Sequence, residues 1–244
     1  MCLLGGGQKI LCAIKNSVSL ENAINKIYEI CPVEDVYDIF SPSMYHKPYR
    51  LLTKEYYYTK DVRFTIFESL MREIYRYDIE GAVAECGVNR GESAKVINRL
   101  FPDRKLYLFD TFEGFDKRDL VTEVDNNLLG RPASDFSNTS VALVMDKMIN
   151  RKKVLVHPGW FPQSASGIDE KFCFVHLDMD LHDPIYAGLE FFWPRLSKGG
   201  YILIHDGRNG QYLGAIEAVR EFCAKNNVGY SIMPDFNSTC IISK

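Results

Sequence analysis

From about Ala82 onward the chain alternates short apolar runs with amphipathic stretches, the pattern of βα units around a parallel sheet. Ala82-Val-Ala-Glu-Cys reads as a first strand, Lys105-Leu-Tyr-Leu-Phe as a second and Lys153-Val-Leu-Val-His as a third. Between the first two, Ser93 to Leu100 places Ala94, Ile97 and Leu100 on one helical face. Phe172-Cys-Phe-Val-His-Leu is nearly continuous in apolar character, which predicts a fourth, central strand. Pro184 to Leu196 follows as a helix with proline near its start, where the missing N–H costs little. Gly199-Gly200 is expected to stop that helix, and Tyr201-Ile-Leu-Ile makes a fifth strand. Leu213 to Lys225 is another helix. The chain closes with Tyr230-Ser-Ile-Met and Thr239-Cys-Ile-Ile, joined by the short turn Pro234-Asp-Phe-Asn. So short a connection demands an antiparallel pair, because a parallel crossover needs about a dozen residues or more.

The fold class expected is therefore α/β: a Rossmann-like domain over residues 61–244, with a mostly parallel seven-stranded sheet ending in an antiparallel hairpin. Residues 1–60 differ. Val18 to Ile30 has helical periodicity, and Pro32 to Tyr58 is rich in Tyr, Pro and Lys. Thr59 to Tyr77 reads as a helix leading into the first strand, with Asp61 as a cap. Residues 1–60 are read as a helical appendage that covers the sheet's C-terminal edge or makes a subunit contact, as in a homo-oligomer. Glu113 to Asn138 is polar, contains Gly130-Arg-Pro, and is too long for a plain connection, which points to a lid or binding loop.

Bulk properties narrow the classes. A chain of 244 residues suffices for one sizeable α/β domain, and 46% hydrophobic with 25% charged residues is ordinary globular composition. A net charge of −3 with no run of Lys or Arg argues against a nucleic-acid binder and favours a small or neutral polar substrate. The 7 cysteines are scattered without a CxxC pair, which suits buried, reduced thiols in a cytoplasmic protein and disfavours a zinc site. Met1 to Ala13 is interrupted by Gly5-Gly6-Gly7 and Lys9, unlike a signal peptide, and no segment has the apolar length of a membrane span.

Two regions carry candidate chemistry. Glu85-Cys-Gly-Val-Asn-Arg-Gly-Glu-Ser93 turns the first strand into the first helix. Gly87 allows a tight turn and close ligand approach, and Gly91 opens a helix whose N–H groups face the crevice. The spacing ExGxxxGxS differs from the dinucleotide GxGxxG, so a nicotinamide cofactor is disfavoured though left open. Asp110 ends the second strand about twenty residues further on, where a carboxylate accepts ribose hydroxyls, and Phe112 is positioned to flank an adenine. These features together indicate a nucleoside cofactor. The second region joins Asp178 and Asp180, at the exit of the fourth strand, with His205 and Asp206 at the exit of the fifth. Carboxylates gathered in one crevice repel one another, and a divalent cation is the usual remedy.

From about Thr59 to its end the chain resembles the macrocin O-methyltransferase (TylF/MycF-like) family of S-adenosylmethionine-dependent sugar O-methyltransferases. The matching pieces are Ala84-Glu-Cys-Gly-Val-Asn-Arg-Gly, Phe109-Asp-Thr-Phe-Glu-Gly, Asp135-Phe-Ser-Asn-Thr-Ser, Pro158-Gly-Trp-Phe, Leu177-Asp-Met-Asp-Leu and Pro194-Arg-Leu-Ser-Lys-Gly-Gly-Tyr. The resemblance implies a class I methyltransferase fold and S-adenosylmethionine held by Glu85, Gly87, Ser93, Asp110 and Phe112, with Ser137 at the adenine. It further implies Mg²⁺ on Asp178, with His205 and Asp206 completing the metal site, and Asp180 as general base on a sugar hydroxyl. Where the family has Asp-Asp after the fifth strand, this chain has His205-Asp206. His205 then turns away, shifts the preference toward Mn²⁺, or serves the substrate. The acceptor expected is a sugar of a glycosylated natural product or surface-polysaccharide precursor. The alternatives are another small hydroxylated acceptor, or a catalytically idle S-adenosylmethionine-binding module.

Overall fold

The computed structural model describes residues 10–12, 36–38 and 62–244, apart from 209 and 236. The chain divides into two compact units, Met1–Asp61 and Val62–Lys244. In the first, strands β1 (Ile10–Cys12) and β2 (Val36–Asp38) pair in parallel. The helix expected over Val18 to Ile30 and the cap expected at Asp61 lie outside the described residues.

The second unit is built on β3 (Ala82–Cys86), β4 (Leu106–Asp110), β5 (Val154–Pro158), β6 (Phe172–Leu177), β7 (Leu196–Ile204), β8 (Ser231–Ile232) and β9 (Cys240–Ser243). They form one seven-stranded sheet in the order β5-β4-β3-β6-β7-β9-β8. β3 to β7 pair in parallel, and β9 runs antiparallel to both β7 and β8. The chain steps outward from β3 through β4 to β5, then returns to the far side of β3 as β6. That reversal makes the β3/β6 junction the switch point, where open α/β sheets bind ligands beyond their strand ends.

Helices α1 (Val62–Arg76), α2 (Glu92–Leu100), α3 (Lys117–Asp125), α4 (Val141–Lys147), α5 (His182–Arg195) and α6 (Gly214–Asn226) surround the sheet. Every residue of β3 and β6 is buried, as their continuous apolar runs require. On one face Phe67 of α1 and Phe101, just past α2, meet Phe174, with ring centroids 5.3 and 5.2 Å apart. On the other face Phe192 of α5 meets Phe172 at 4.9 Å. Phe172 and Phe174 are two residues apart and should share a face, but the register shifts between them. That bulge places Phe172 in the same buried cluster as Val175 and Leu177.

Two boundaries differ from the sequence reading. α5 ends at Arg195 and β7 begins at Leu196, so Gly199-Gly200 lie inside the strand and do not stop the helix. Gly199 adopts φ +82° where β7 bulges against β6, which is the conformation the glycine supplies. The stretch Glu113 to Asn138 is not wholly irregular. Asp116 caps α3 there by accepting from Arg118 N at 2.9 Å. Cys86, Cys173, Cys223 and Cys240 are free and buried. No helix among the described residues is long and apolar enough to cross a membrane.

Candidate active site

The loops leaving β3, β6 and β7 are stitched together by their backbones. Asp178 N donates to Cys86 O at 2.8 Å, His205 N to Leu177 O at 2.9 Å, and Gly87 N to Phe109 O at 2.9 Å. Gly87 has φ +81°, and a Cβ there would run into the Asp178 carbonyl. Only glycine fits this turn.

Beyond these strand ends opens a cavity of about 340 Å³, lined by Gly87, Asp110, Asp178, Asp180, His205 and Asp206 among others. The structure thus brings six of the sequence-predicted residues to one space. Asp110 is fixed by its backbone neighbours: Oδ2 accepts from Asn89 N at 2.8 Å and Oδ1 from Phe112 N at 2.7 Å. Each oxygen keeps a lone pair for a further donor. Glu85, Ser93, Phe112 and Ser137 do not line the cavity. Glu85 is fully buried, with Oε1 2.8 Å from His176 Nδ1 and a hydrogen bond to Ser93, and burial pushes its pKa up. Ser137 is exposed and its N–H donates to Asp135 Oδ1 at 2.8 Å.

The carboxylate cluster is dense. Asp178, His205 and Asp206 present ligand atoms within 4.8 Å of one another. His205 Nδ1 lies 2.8 Å from Asp178 Oδ1 and 3.1 Å from Asp206 Oδ2, an ion-pair approach off the angle of a hydrogen bond. Arg63 Nη1 of α1 reaches Asp178 Oδ2 at 3.0 Å. Burial would lower the pKa of His205, but the Asp178 charge outweighs it and lifts the group to about 10. Burial opposes ionisation of Asp178 as well, yet the charges of His205, His176 and Arg63 hold it below the usual carboxylate range. Asp180 is pushed well up by burial and by its neighbours Asp206 and Asp178. Asp180 and Asp206 both have φ +62°, a left-handed conformation uncommon outside glycine that gathers at functional loops.

Aromatic side chains also line the cavity. Trp160, after β5, lies under the Arg118 guanidinium at 3.7 Å and donates its Nε1–H to both oxygens of Asp119, at 2.9 and 3.0 Å. Phe115 meets Phe136 at 5.1 Å and Tyr212 at 5.6 Å. Tyr212 Oη accepts from Ser134 N at 2.9 Å and from Gln211 Nε2 at 3.0 Å. Asn237, on the β8–β9 turn, brings Nδ2 to 3.4 Å from His205 Nε2. Arg63, Asp119, Tyr212 and Asn237 all line the cavity and were not singled out from sequence. Arg63 and Asn237 arrive from outside the strand-end motifs, so no local spacing marks them. Trp160 stood in a matched segment, but nothing in the sequence gave it Asp119 as partner.

The macrocin-O-methyltransferase (TylF) family matches residues 54–242. An enzyme of Streptomyces olivaceus named 8-demethyl-8-(2,3-dimethoxy-alpha-L-rhamnosyl)-tetracenomycin-C 4'-O-methyltransferase is 27% identical over 144 residues, 52% of this chain and 53% of that protein. The match therefore spans about half the length of that relative. Among solved structures, the O-methyltransferase NovP superposes with TM-score 0.61 at 18% identity, over 75% of this chain and 79% of that one. The calicheamicin methyltransferase CalS11 gives 0.60 at 16% identity, over 99% of each chain. These likenesses establish a class I methyltransferase fold, and the family match covers most of the chain. The chain belongs to the macrocin-O-methyltransferase (TylF) family.

Proposed function

We propose that this member of the family transfers a methyl group from S-adenosylmethionine to a sugar hydroxyl of a glycosylated natural product, with a divalent cation in the strand-end cluster. One observation carries the reading: an aspartate suited to ribose hydroxyls and a knot of three acidic residues and a histidine line the same cavity. The name of the Streptomyces olivaceus relative, an enzyme of a rhamnosylated tetracenomycin, supports a deoxysugar acceptor.

The residues fit both groups. Asp110 is held by two backbone N–H groups with acceptor capacity to spare, and Gly87 lets the backbone approach a ligand. On the metal side, Asp206 Oδ1 is buried without a hydrogen-bond partner among the described residues, an acceptor that a cation would satisfy, and His205 Nδ1, now ion-paired to Asp178 and Asp206, would join it on giving up its proton. Asp178, Asp206 and His205 would hold it, an oxygen-rich set suited to Mg²⁺, with the imidazole favouring Mn²⁺. When bound, the two groups supply an electrophilic methyl and a Lewis acid beside the acceptor hydroxyl.

The chain's own residues do the rest. Asp180 is the general base, taking the hydroxyl proton on its carboxylate. A positioned base of this kind contributes about 10²–10⁴-fold. Trp160, Phe115, Phe136 and Tyr212 wall the cavity with carbon surface that excludes water and gives a pyranose ring an apolar face. Glu85, Ser93, Phe112 and Ser137 act from behind or beside this space. Residues 1–60 are an accessory segment and 61–244 the methyltransferase domain.

Calorimetry with S-adenosylhomocysteine, with and without Mg²⁺, followed by methyl transfer to rhamnosylated acceptors, tests the reading. Binding strengthened by metal and a methylated sugar are expected. NADH binding in place of S-adenosylhomocysteine overturns it, and tight binding without metal response or turnover leaves the idle module.

A further inference from the structure

α3 forms part of the cavity wall through its cap Asp116 and through Asp119. On the side chain following that wall, Glu123 is fully buried. Its Oε1 accepts the His182 N–H at 2.5 Å, at the first residue of α5. Gly214, the first residue of α6, packs against the same carboxylate so closely that an added Cβ would collide with Oε1 and with His182 N. Oε2 has no hydrogen-bond partner among the described residues. The preceding residue grips the same helix end: Thr122 Oγ1 donates to Asp183 Oδ2 at 2.5 Å. The following loop continues the join, with Leu128 N donating to Glu123 O at 2.8 Å and Leu213 N to Leu128 O at 2.9 Å.

α5 begins where the Asp178–Asp180 loop ends, and α6 begins where the chain leaving His205–Asp206 ends. One buried side chain therefore touches the far ends of both acidic loops and belongs to the helix that walls the cavity. A buried carboxylate is costly to leave half-satisfied, and the contacts it makes here are what offset that cost. The backbone N–H it accepts lies at a helix start, where the helix dipole favours negative charge.

We infer that Glu123 is a positioning residue: its carboxylate locks α3 to the first turns of α5 and α6 and so sets the Asp119–Trp160 wall against the Asp178–Asp180 and His205–Asp206 loops. This rests on the methyltransferase reading only for what fills the cavity. The lock itself is read out without an acceptor.

The chain has 2 tryptophans, so Trp193→Phe leaves Trp160 as the sole tryptophan, excited at the red edge where tyrosine does not absorb, its indole N–H held by Asp119 of α3. In that background Glu123→Ala is expected to red-shift Trp160 emission, increase its quenching by acrylamide and weaken S-adenosylhomocysteine binding about tenfold, a loss of about 1.4 kcal/mol. Glu123→Gln keeps an acceptor oxygen for His182 N–H and is expected to restore both signals. Gly214→Ala, which drives a methyl group into the carboxylate, is expected to copy Glu123→Ala and serves if the alanine variant does not fold. Emission and binding left unchanged in folded Glu123→Ala or Gly214→Ala, with only the melting temperature lowered, overturn the inference. So does a glutamine variant as perturbed as alanine. If the unsubstituted protein binds no S-adenosylhomocysteine, the methyltransferase reading fails, and Trp160 emission alone judges the lock.

Discussion

Asp180 and Asp119 are both acids raised above the usual carboxylate range, and they make different predictions. Asp180 faces the cluster, held up by burial and by Asp206. Asp180→Asn keeps the shape and removes the proposed base. Turnover is expected to fall by about 10²–10⁴-fold while S-adenosylhomocysteine affinity stays within about twofold, checked by rate assay and calorimetry. Near-normal rates remove Asp180 from the mechanism. Asp119 is raised to about 6, chiefly by burial, against the pull of the Trp160 N–H. A carboxyl whose folded pKa exceeds its unfolded one favours folding while protonated. Its contribution is full below about pH 4 and is lost as pH rises through 6. Asp119→Asn keeps an acceptor for Trp160 and does not ionise. It is expected to gain up to about 2–3 kcal/mol over the unsubstituted protein above pH 6, a difference that closes toward pH 4 in denaturant titrations. A pH-independent difference defeats this account.

Among elements, the turn after β3 is the most constrained. Gly87→Ala must hold φ +81° with a Cβ against the Asp178 carbonyl, which forces the β3 and β6 loops apart. A destabilisation of about 2–4 kcal/mol is expected by chemical denaturation, together with loss of S-adenosylhomocysteine binding. Unchanged stability and binding are inconsistent with the observed packing. The same elements show what sequence makes legible. β3 and β6 announce themselves because burial on both faces demands nearly continuous apolar residues, and the β8–β9 hairpin because so short a connection cannot cross over. α3 hides in a polar stretch, since Lys117–Asp125 buries Asp119 and Glu123 and leaves Val121 and Val124 exposed, the reverse of an amphipathic helix. The α5–β7 boundary is misplaced from sequence because a glycine pair stops helices and bulges strands alike, and the choice depends on the partner strand.

For the whole molecule, ligand binding and stability are linked. S-adenosylhomocysteine at about 100 times its dissociation constant adds about 2.7 kcal/mol to the folded state. A domain of this size should then melt about 5–10 °C higher, as followed by scanning calorimetry. Chelation followed by added Mg²⁺ or Mn²⁺ should respectively lower and restore turnover, and a rate indifferent to chelator removes the cation from the Asp178–His205–Asp206 cluster. The family match over residues 54–242 and the sheet order both concern this unit, which is where these effects are read.

The sequence by itself determined the strand succession, the glycine turn at Gly87 and the presence of acidic residues at two strand exits. Those follow from local burial and from backbone sterics, which act within a few residues. Only the tertiary structure decided that His205 stands between Asp178 and Asp206, that Arg63 reaches into the cluster, and that Glu123 joins three helices. Those relations link residues up to 115 positions apart, and a charge or hydrogen bond at that separation exists only once packing fixes the distance.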